Sequence, residues 1–279
     1  MGNPIAQRKL VTIYASAALA VPVLSGLAYL WHFNAPSTYL AVNAGALVIG
    51  GLAIALTPAP PAGNARRIVF AVLLALLFVP LFTGPQINHV ARWLPLGPFA
   101  LHVGALVVPS LVVLASMEER DAPFILAVAL FAVSLQPDMA TGAALMLAAV
   151  GLCVGTQDWK LVVFAIVAFV TSLVMAVHGE LPAQPFVEHV LTSLVMESPF
   201  AALGLFAAQL ACFLIILYAL PAAEQGRRAL AGSFFGFAVA AVFSNYPSVL
   251  IGYGAAPILG YGLALGLLAG TAPRTAIRV

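Results

Sequence analysis

Ten apolar stretches of spanning or near-spanning length follow one another along the chain, at roughly 10–32, 37–58, 67–83, 98–116, 122–136, 139–156, 160–178, 199–221, 229–245 and 247–270. Polar and turn-forming residues break them: Asn34-Ala35-Pro36, the stretch from Pro58 to Asn64, Glu118 to Pro123, and Glu224 to Arg228. About twenty apolar residues carry a helix across hydrocarbon. Backbone at that depth must satisfy its own hydrogen bonds, so the pattern predicts helices as the only element. The fifth and sixth stretches are short and separated only by Gln136-Pro137-Asp138, which predicts two short helices meeting in a tight turn. The first stretch begins like a signal peptide, with Arg8 and Lys9 ahead of small residues from Ala15 to Ala20. It continues to Trp31, long enough to span, so a retained first helix is expected.

The basic residues test this count. With the N-terminus inside, ten alternating segments put Arg8, Lys9, Arg66, Arg67, Arg120, Lys160, Arg227, Arg228, Arg274 and Arg278 on the inner side, ten of the eleven Lys and Arg residues. Only Arg92 falls outside. That bias is the one expected of cytoplasmic loops, and a miscount by one helix would scramble it. The same topology puts His32, His89, His102, His178 and His189 at or near the outer face, with Asp138, Glu180, Glu188 and Glu197. The inner loops read as topology anchors, so candidate chemistry belongs outside, around Arg92, Asp138 and the 178–198 loop.

Composition fixes the class. Apolar residues make up 63% of the chain, charged residues 7%, and the mean hydropathy is +1.09. A soluble domain of this size has about a quarter of its residues charged. The expected architecture is an all-α polytopic membrane protein of about ten transmembrane helices, both ends inside, with residues 1–279 one transmembrane domain and 178–198 its longest outer loop. The net charge of +2 is spread out, and no basic run suits nucleic acid. Cys153 and Cys212 lie in apolar stretches as ordinary small buried thiols, outside any CxxC pair or zinc spacing. No P-loop or dinucleotide glycine pattern occurs in the inner loops.

Four segments, in order, resemble the SEDS family (the shape, elongation, division and sporulation proteins FtsW and RodA). Asn88-His89-Val90-Ala91-Arg92-Trp93-Leu94-Pro95-Leu96-Gly97-Pro98-Phe99 is similar to the family's N-G-A-R-R-W-[IL]-x-[IL]-G-P-F, and Gln136-Pro137-Asp138-Met139-Ala140-Thr141 to Q-P-D-[LF]-G-T. Ser193-Leu194-Val195-Met196-Glu197 resembles S-[VI]-[IL]-[GA]-E at the eighth helix. Pro247-Ser248-Val249-Leu250-Ile251-Gly252-Tyr253-Gly254 with Leu263-Ala264-Leu265-Gly266-Leu267-Leu268 resembles P-L-P-F-[LIV]-S-Y-G and A-L-G-L-L in the last. These matches cover roughly a quarter of the chain, and their order and common face give them weight that none has alone. Departures accompany them. The family's Q-P-S-E is here His102-Val103-Gly104-Ala105, without its carboxylate, and a nearby lysine position is Val108. S-Y-G-G-S becomes Gly252-Tyr253-Gly254-Ala255-Ala256, and the chain is short for the family. The outer-loop P-E-x-x-T-D-F, whose aspartate is taken as catalytic, has no clean counterpart. Aligned from Leu181-Pro182 that aspartate falls on Val187; aligned backward from Glu197 it falls on His189. Glu188 lies between.

The resemblance implies polymerisation of glycan strands from lipid II, an undecaprenyl-pyrophosphate-linked disaccharide, at the outer face of a bacterial cytoplasmic membrane. A single-pass penicillin-binding transpeptidase is the implied partner. Such chemistry needs a carboxylate to take the acceptor hydroxyl's proton and a cation for the departing pyrophosphate. Glu188 is the candidate base, with a solvated loop carboxylate as the alternative and Glu180 as competitor. Arg92 suits pyrophosphate through its planar fork, or else pairs with Asp138 or snorkels to the interface. Asp138 reads as a supporting catalytic residue, as the N-cap of the sixth helix with Thr141 three residues on, or both. Arg92, Trp93, His189 and Glu180 form the candidate substrate-binding set. Glu197, ahead of Ser198-Pro199, reads as a capping acid. Tyr253, between Gly252 and Gly254, reads as a helix-packing residue. The histidines lack i, i+4 metal spacing; a divalent cation is left open as a cofactor. A non-catalytic scaffold or precursor binder is the rival reading, and a transporter lacks sequence support.

Overall fold

A computed structural model describes residues 4–88, 90–97 and 99–271. His89 and Pro98 of the first family-like segment, and the predicted inner residues Arg274 and Arg278, lie outside the described residues. In order, the elements are α1 (Pro4–His32), α2 (Ser37–Leu56), α3 (Gly63–Phe78), α4 (Pro80–Thr83), β1 (Trp93–Leu96), β2 (Phe99–His102), α5 (Val103–Ala115), α6 (Ala122–Ser134), α7 (Met139–Thr156), α8 (Trp159–His178), α9 (Val190–Glu197), α10 (Pro199–Leu214) running into a π-helical turn (Ile215–Ala219), α11 (Glu224–Phe243) and α12 (Ala255–Gly270). The chain is an all-α polytopic membrane protein. Each of the ten predicted stretches carries one helix of 13 residues or more: α1, α2, α3, α5, α6, α7, α8, α10, α11 and α12. Among the described residues, six helical spans are long and apolar enough to cross a membrane on their own terms.

The helices meet through small residues, because lipid tails leave close backbone contact as the main source of packing energy. On α11, Gly232 and Gly236 lie against the backbones of Leu147 and of Ala143 and Ala144 on α7, and Gly262 of α12 lies against Gly50 of α2; a methyl group at any of these glycines would strike main chain. Helix α5 is apolar all round and nearly all of it is buried, which makes it the central post of the bundle. At the periphery, Val163, Ile166, Val170 and Leu173 of α8 are exposed, the expected face toward lipid. Cys212 is buried and Cys153 partly so, and both are free thiols.

Polar contacts sort to two ends. Arg66 pairs with Glu118 at 2.8 Å, the Gln225 amide donates to Glu119 at 2.7 Å, and Arg228 pairs with Glu224 at 2.5 Å. The basic-residue bias assigns this end to the inside. The opposite end gathers Arg92, His102, Asp138, Glu180, Glu188 and Asn245, as expected of the outer side.

Helices are not the only element, which corrects one expectation. The stretch predicted as a helix over 98–116 begins instead with β2, the second strand of a short antiparallel hairpin with β1, pairing Trp93 with His102 and Leu96 with Phe99. Its helix starts only at Val103 and, at thirteen residues, is roughly 20 Å long. Likewise the 247–270 stretch is irregular up to Gly254, and α12 starts at Ala255. Non-helical chain is tolerated at a bundle's end where protein, rather than lipid, surrounds it. Both helices are shortened at the same end. The loop after α8 also holds a two-turn helix, α9, that hydropathy did not separate from its surroundings.

Candidate active site: an outer cavity around Arg92

The shortened ends of α5 and α12 leave a cavity of ≈ 260 Å³ in the outer half of the bundle. Its wall includes Arg92, Trp93 and His102 from the hairpin region, Gln184 and Glu188 from the 179–189 loop, and Asn245, Tyr246 and Tyr253 from the 244–254 loop. Ala140, Phe237 and Val249 add apolar surface.

Two outer loops are tied together to build one side of it. Glu188 and Pro247 form an antiparallel bridge, Ser248 N–H donates to Val187 O at 2.8 Å, and Tyr253 N–H donates to Phe186 O at 2.7 Å. The Asn245 amide donates to Leu181 O at 2.8 Å, and its carbonyl meets the His189 ring. Phe186 and Leu250, both bulky, adopt positive φ (67° and 62°), a conformation costing about 1–3 kcal/mol each. The cross-loop bonds hold that strain and fix where Glu188 points.

Arg92 is only 2% exposed. Its Nη2 donates to Gly179 O at 3.2 Å, and its guanidinium carbon stands 4.5 Å from the Tyr246 ring centre and 5.0 Å from that of Trp93. Nε and Nη1 are buried without a hydrogen-bond partner among the described residues. The expected alternatives therefore fall away: Arg92 neither snorkels nor forms a salt bridge with Asp138. Two aromatic faces and one carbonyl hold a charge whose remaining donors are unmet, an arrangement costly unless an anion completes it. Gly179 makes the contact possible, since a side chain there would collide with the Pro137 carbonyl.

Tyr246 is itself pinned. Its hydroxyl accepts from Met139 N–H at 2.9 Å and donates to Pro137 O at 3.4 Å, which joins the platform under Arg92 to the start of α7. Burial, with the negative charge of Asp138 nearby, pushes its phenol up to about 12, so it keeps its proton.

Asp138 is fully buried and lies behind the cavity wall rather than on it. It caps α7: Oδ1 accepts from Thr141 N–H at 3.2 Å and Oδ2 from the Thr141 hydroxyl at 2.5 Å, as the cap expectation required. His102 Nε2 stands 3.3 Å from Asp138 Oδ2, close enough for an ion pair though off the line of a hydrogen bond. His102 Nδ1 accepts from Ala105 N–H at 3.1 Å and so caps α5. An accepting Nδ1 places the ring hydrogen of the neutral form on Nε2, facing the carboxylate. Gly104 is required between these partners, because any β-carbon there would overlap Thr141.

Glu188 is half-buried on the cavity wall, and one carboxylate oxygen accepts Gln184 N–H at 2.6 Å. Burial raises its proton affinity above that of an ordinary glutamate, against the pull of the Gln184 and Glu188 backbone N–H groups, Arg92 and His189. The other expected site residues stand apart. Glu180 is exposed with its Oε1 3.5 Å from the Ser244 hydroxyl, and His189 turns to Asn245; neither lines the cavity. Glu197 corrects an expectation: it is the exposed last residue of α9, and α10 begins after Ser198 without a side-chain cap. Tyr253 stacks on Tyr39 of α2 with ring centres 3.8 Å apart while facing the cavity. Among the described residues no three His, Cys, Asp or Glu side chains gather to hold a metal ion.

Motif reading passed over His102, Tyr246 and Asn43. His102 stood in view as a departure from the family pattern. Asn43, 1% exposed in an apolar helix, carried a usable signal, because a lone polar side chain in a span asks for a partner. Its amide donates to Gly252 O at 3.0 Å and accepts from Gly254 N–H at 3.1 Å, clamping the turn that leads into α12.

Fold and site together define a polytopic helical membrane protein with a cation-bearing cavity between its outer loops. The fold is RodA-like. The chain is similar to the rod shape determining protein RodA of Thermus thermophilus, as an aspartate-to-alanine mutant (TM-score 0.62, 16% identity, 95% of each chain covered) and as a second crystal structure (TM-score 0.59, 16% identity, 95% of this chain and 94% of that one). It is equally similar (TM-score 0.59, 16% identity, 95% and 98% covered) to a chain in a structure describing the coordination of polymerization and crosslinking by a peptidoglycan synthase complex. No protein-family profile and no curated protein matches the sequence.

Proposed function

We propose that this protein is a SEDS-like membrane glycosyltransferase that polymerises lipid II into glycan strands at the outer face of the bacterial cytoplasmic membrane. The observation that carries the reading is Arg92: a buried guanidinium with two unmet donor nitrogens, lining the same cavity as a glutamate of raised proton affinity. The RodA-like fold and the four sequence segments supply the substrate class.

In the reaction, the acceptor sugar hydroxyl attacks the anomeric carbon of the donor. The new glycosidic bond forms as the bond to the lipid diphosphate breaks, and the leaving group departs with the electron pair. Glu188 accepts the hydroxyl proton, and its raised proton affinity brings it closer to neutrality, where a general base works well. Arg92 receives the developing charge on the diphosphate, and the low-dielectric cavity strengthens that interaction. Trp93 and Tyr246 hold the guanidinium in place. Asp138 acts through His102 and the α7 cap, so it is a positioning residue here. Glu180 and His189 stand off the cavity wall and act only indirectly, His189 by holding Asn245 in the cross-loop network. The whole chain works as one transmembrane domain, and a single-pass penicillin-binding transpeptidase is its partner, in line with the synthase complex that its fold resembles.

The test is incorporation of labelled lipid II by the purified protein in detergent, alone and with a penicillin-binding partner. Glycan product that disappears with Glu188→Gln supports the assignment; product retained in that variant removes Glu188 as the base. Lipid II binding without turnover under any partner condition would make the protein a scaffold instead.

A further inference from the structure

Three helices begin at the cavity. Two have side-chain caps, α5 through His102 and α7 through Asp138. The third, α12, starts at Gly254-Ala255-Ala256-Pro257, all four residues lining the cavity, and its N-cap makes no side-chain bond. The first-turn N–H groups of a helix have no partner within it and carry the positive end of its dipole. Asn43 occupies the Gly254 N–H, so those of Ala255 and Ala256 are the next in line. The same cavity holds Arg92, 98% buried by its 2% exposure, with Nε and Nη1 unpartnered. A guanidinium with unpartnered nitrogens and a helix start without a side-chain cap thus line one space of ≈ 260 Å³, two donor sets beside apolar surface from Ala140, Phe237 and Val249. One phosphate satisfies one such set. Two linked phosphates satisfy both, with the apolar wall left for a prenyl chain.

Resting on the lipid-diphosphate reading above, we propose that the α12 N-terminus is a second phosphate subsite, so that the cavity selects a polyprenyl diphosphate over the monophosphate. Arg92 takes one phosphate, and the Ala255 and Ala256 N–H groups take the other. Asn43 is the positioning residue, since it clamps Gly252 and Gly254 and so aims the helix start.

Proline makes the test clean. At the first positions of a helix it is well tolerated, yet it removes the N–H. Native mass spectrometry of the purified full chain would be titrated with undecaprenyl pyrophosphate and, separately, undecaprenyl phosphate. The wild type binds the diphosphate at least about fivefold more tightly, the scale of a dipole and charge-assisted contact at a helix start. Ala255→Pro and, independently, Ala256→Pro reduce that preference while monophosphate binding stays within about twofold. Arg92→Gln weakens both ligands. If Ala255→Pro fails to fold, Ala256→Pro carries the same test, and Ala255→Gly, which keeps the N–H, reports packing changes alone. Full diphosphate preference in a folded proline variant overturns the subsite. Equal wild-type binding of the two lipids overturns it while leaving a lipid-phosphate site standing; binding of neither overturns the substrate class as well.

Discussion

The two ends of the bundle treat charge in opposite ways. At the inner end Arg66 is satisfied three times over, by Pro61 O, Met117 O and Glu118, and the loops around it stay close to water. At the outer end Arg92 is more deeply buried and has one carbonyl. Both arginines lie in breaks between apolar stretches, and topology alone would let either serve as an anchor. An anchor needs only a partner or solvent. A guanidinium held dry with open donors carries a desolvation cost that a purely structural role does not explain. The contrast separates a fully paired arginine from one with open donors without appeal to motif, and the proposed site role rests on that difference.

The largest effect that sharpens this contrast is at Glu188. Glu188→Gln keeps the size and one acceptor but removes the base, and polymerisation of labelled lipid II should fall by about 100-fold or more. The wild-type rate should also fall on acidification at a higher pH than a solvated glutamate would set, since burial raises this group's proton affinity and only the ionised form accepts a proton. The stability sign runs the other way. A carboxyl whose folded affinity is raised stabilises the fold fully below its unfolded pKa and loses that contribution as pH rises through the folded value. Glu188→Gln should therefore melt at or slightly above the wild type at neutral pH while being inactive. A melting loss with retained rate would break the assignment.

Next comes the His102–Asp138 pair. His102→Ala removes the α5 cap and leaves Asp138 without its imidazole neighbour, costing about 2–3 kcal/mol by cap loss and an under-satisfied buried carboxylate. A thermal melt in detergent checks it. His102→Gln, which keeps a side-chain acceptor for the α5 cap, should recover part of the loss. The smallest effect lies inside: Glu118→Ala removes a half-exposed pair with Arg66 and should change stability by about 1 kcal/mol or less, leaving turnover unchanged.

How much of this was written in the sequence depends on the residue. Hydropathy and the basic-residue bias marked the ten helical stretches and both faces, because a span's length and loop charge are local properties. Asp138 as the α7 cap was readable from its three-residue offset to Thr141. The hairpin at 93–102 was not, since its apolar residues have the composition of a helix end, and only the tertiary surroundings of α5 permit strand there. The place of Glu188 on the cavity wall was reached only as a residue caught between two alignment registers. Its position comes from the bridge to Pro247, some sixty residues on, which no local pattern encodes. Asn43 shows the opposite case: a plain signal, one polar side chain in an apolar helix, whose partner at Gly252 and Gly254 only the fold could name.

The most direct measurement sets the two arginines side by side. Purified wild type, Arg92→Gln and Arg66→Gln would be given the same labelled lipid II, and glycan product followed against time. Loss of about 100-fold or more in Arg92→Gln, with Arg66→Gln within about twofold of wild type, is the predicted result. Equal rates for both variants would contradict the account, because Arg92 would then be an anchor like its inner counterpart.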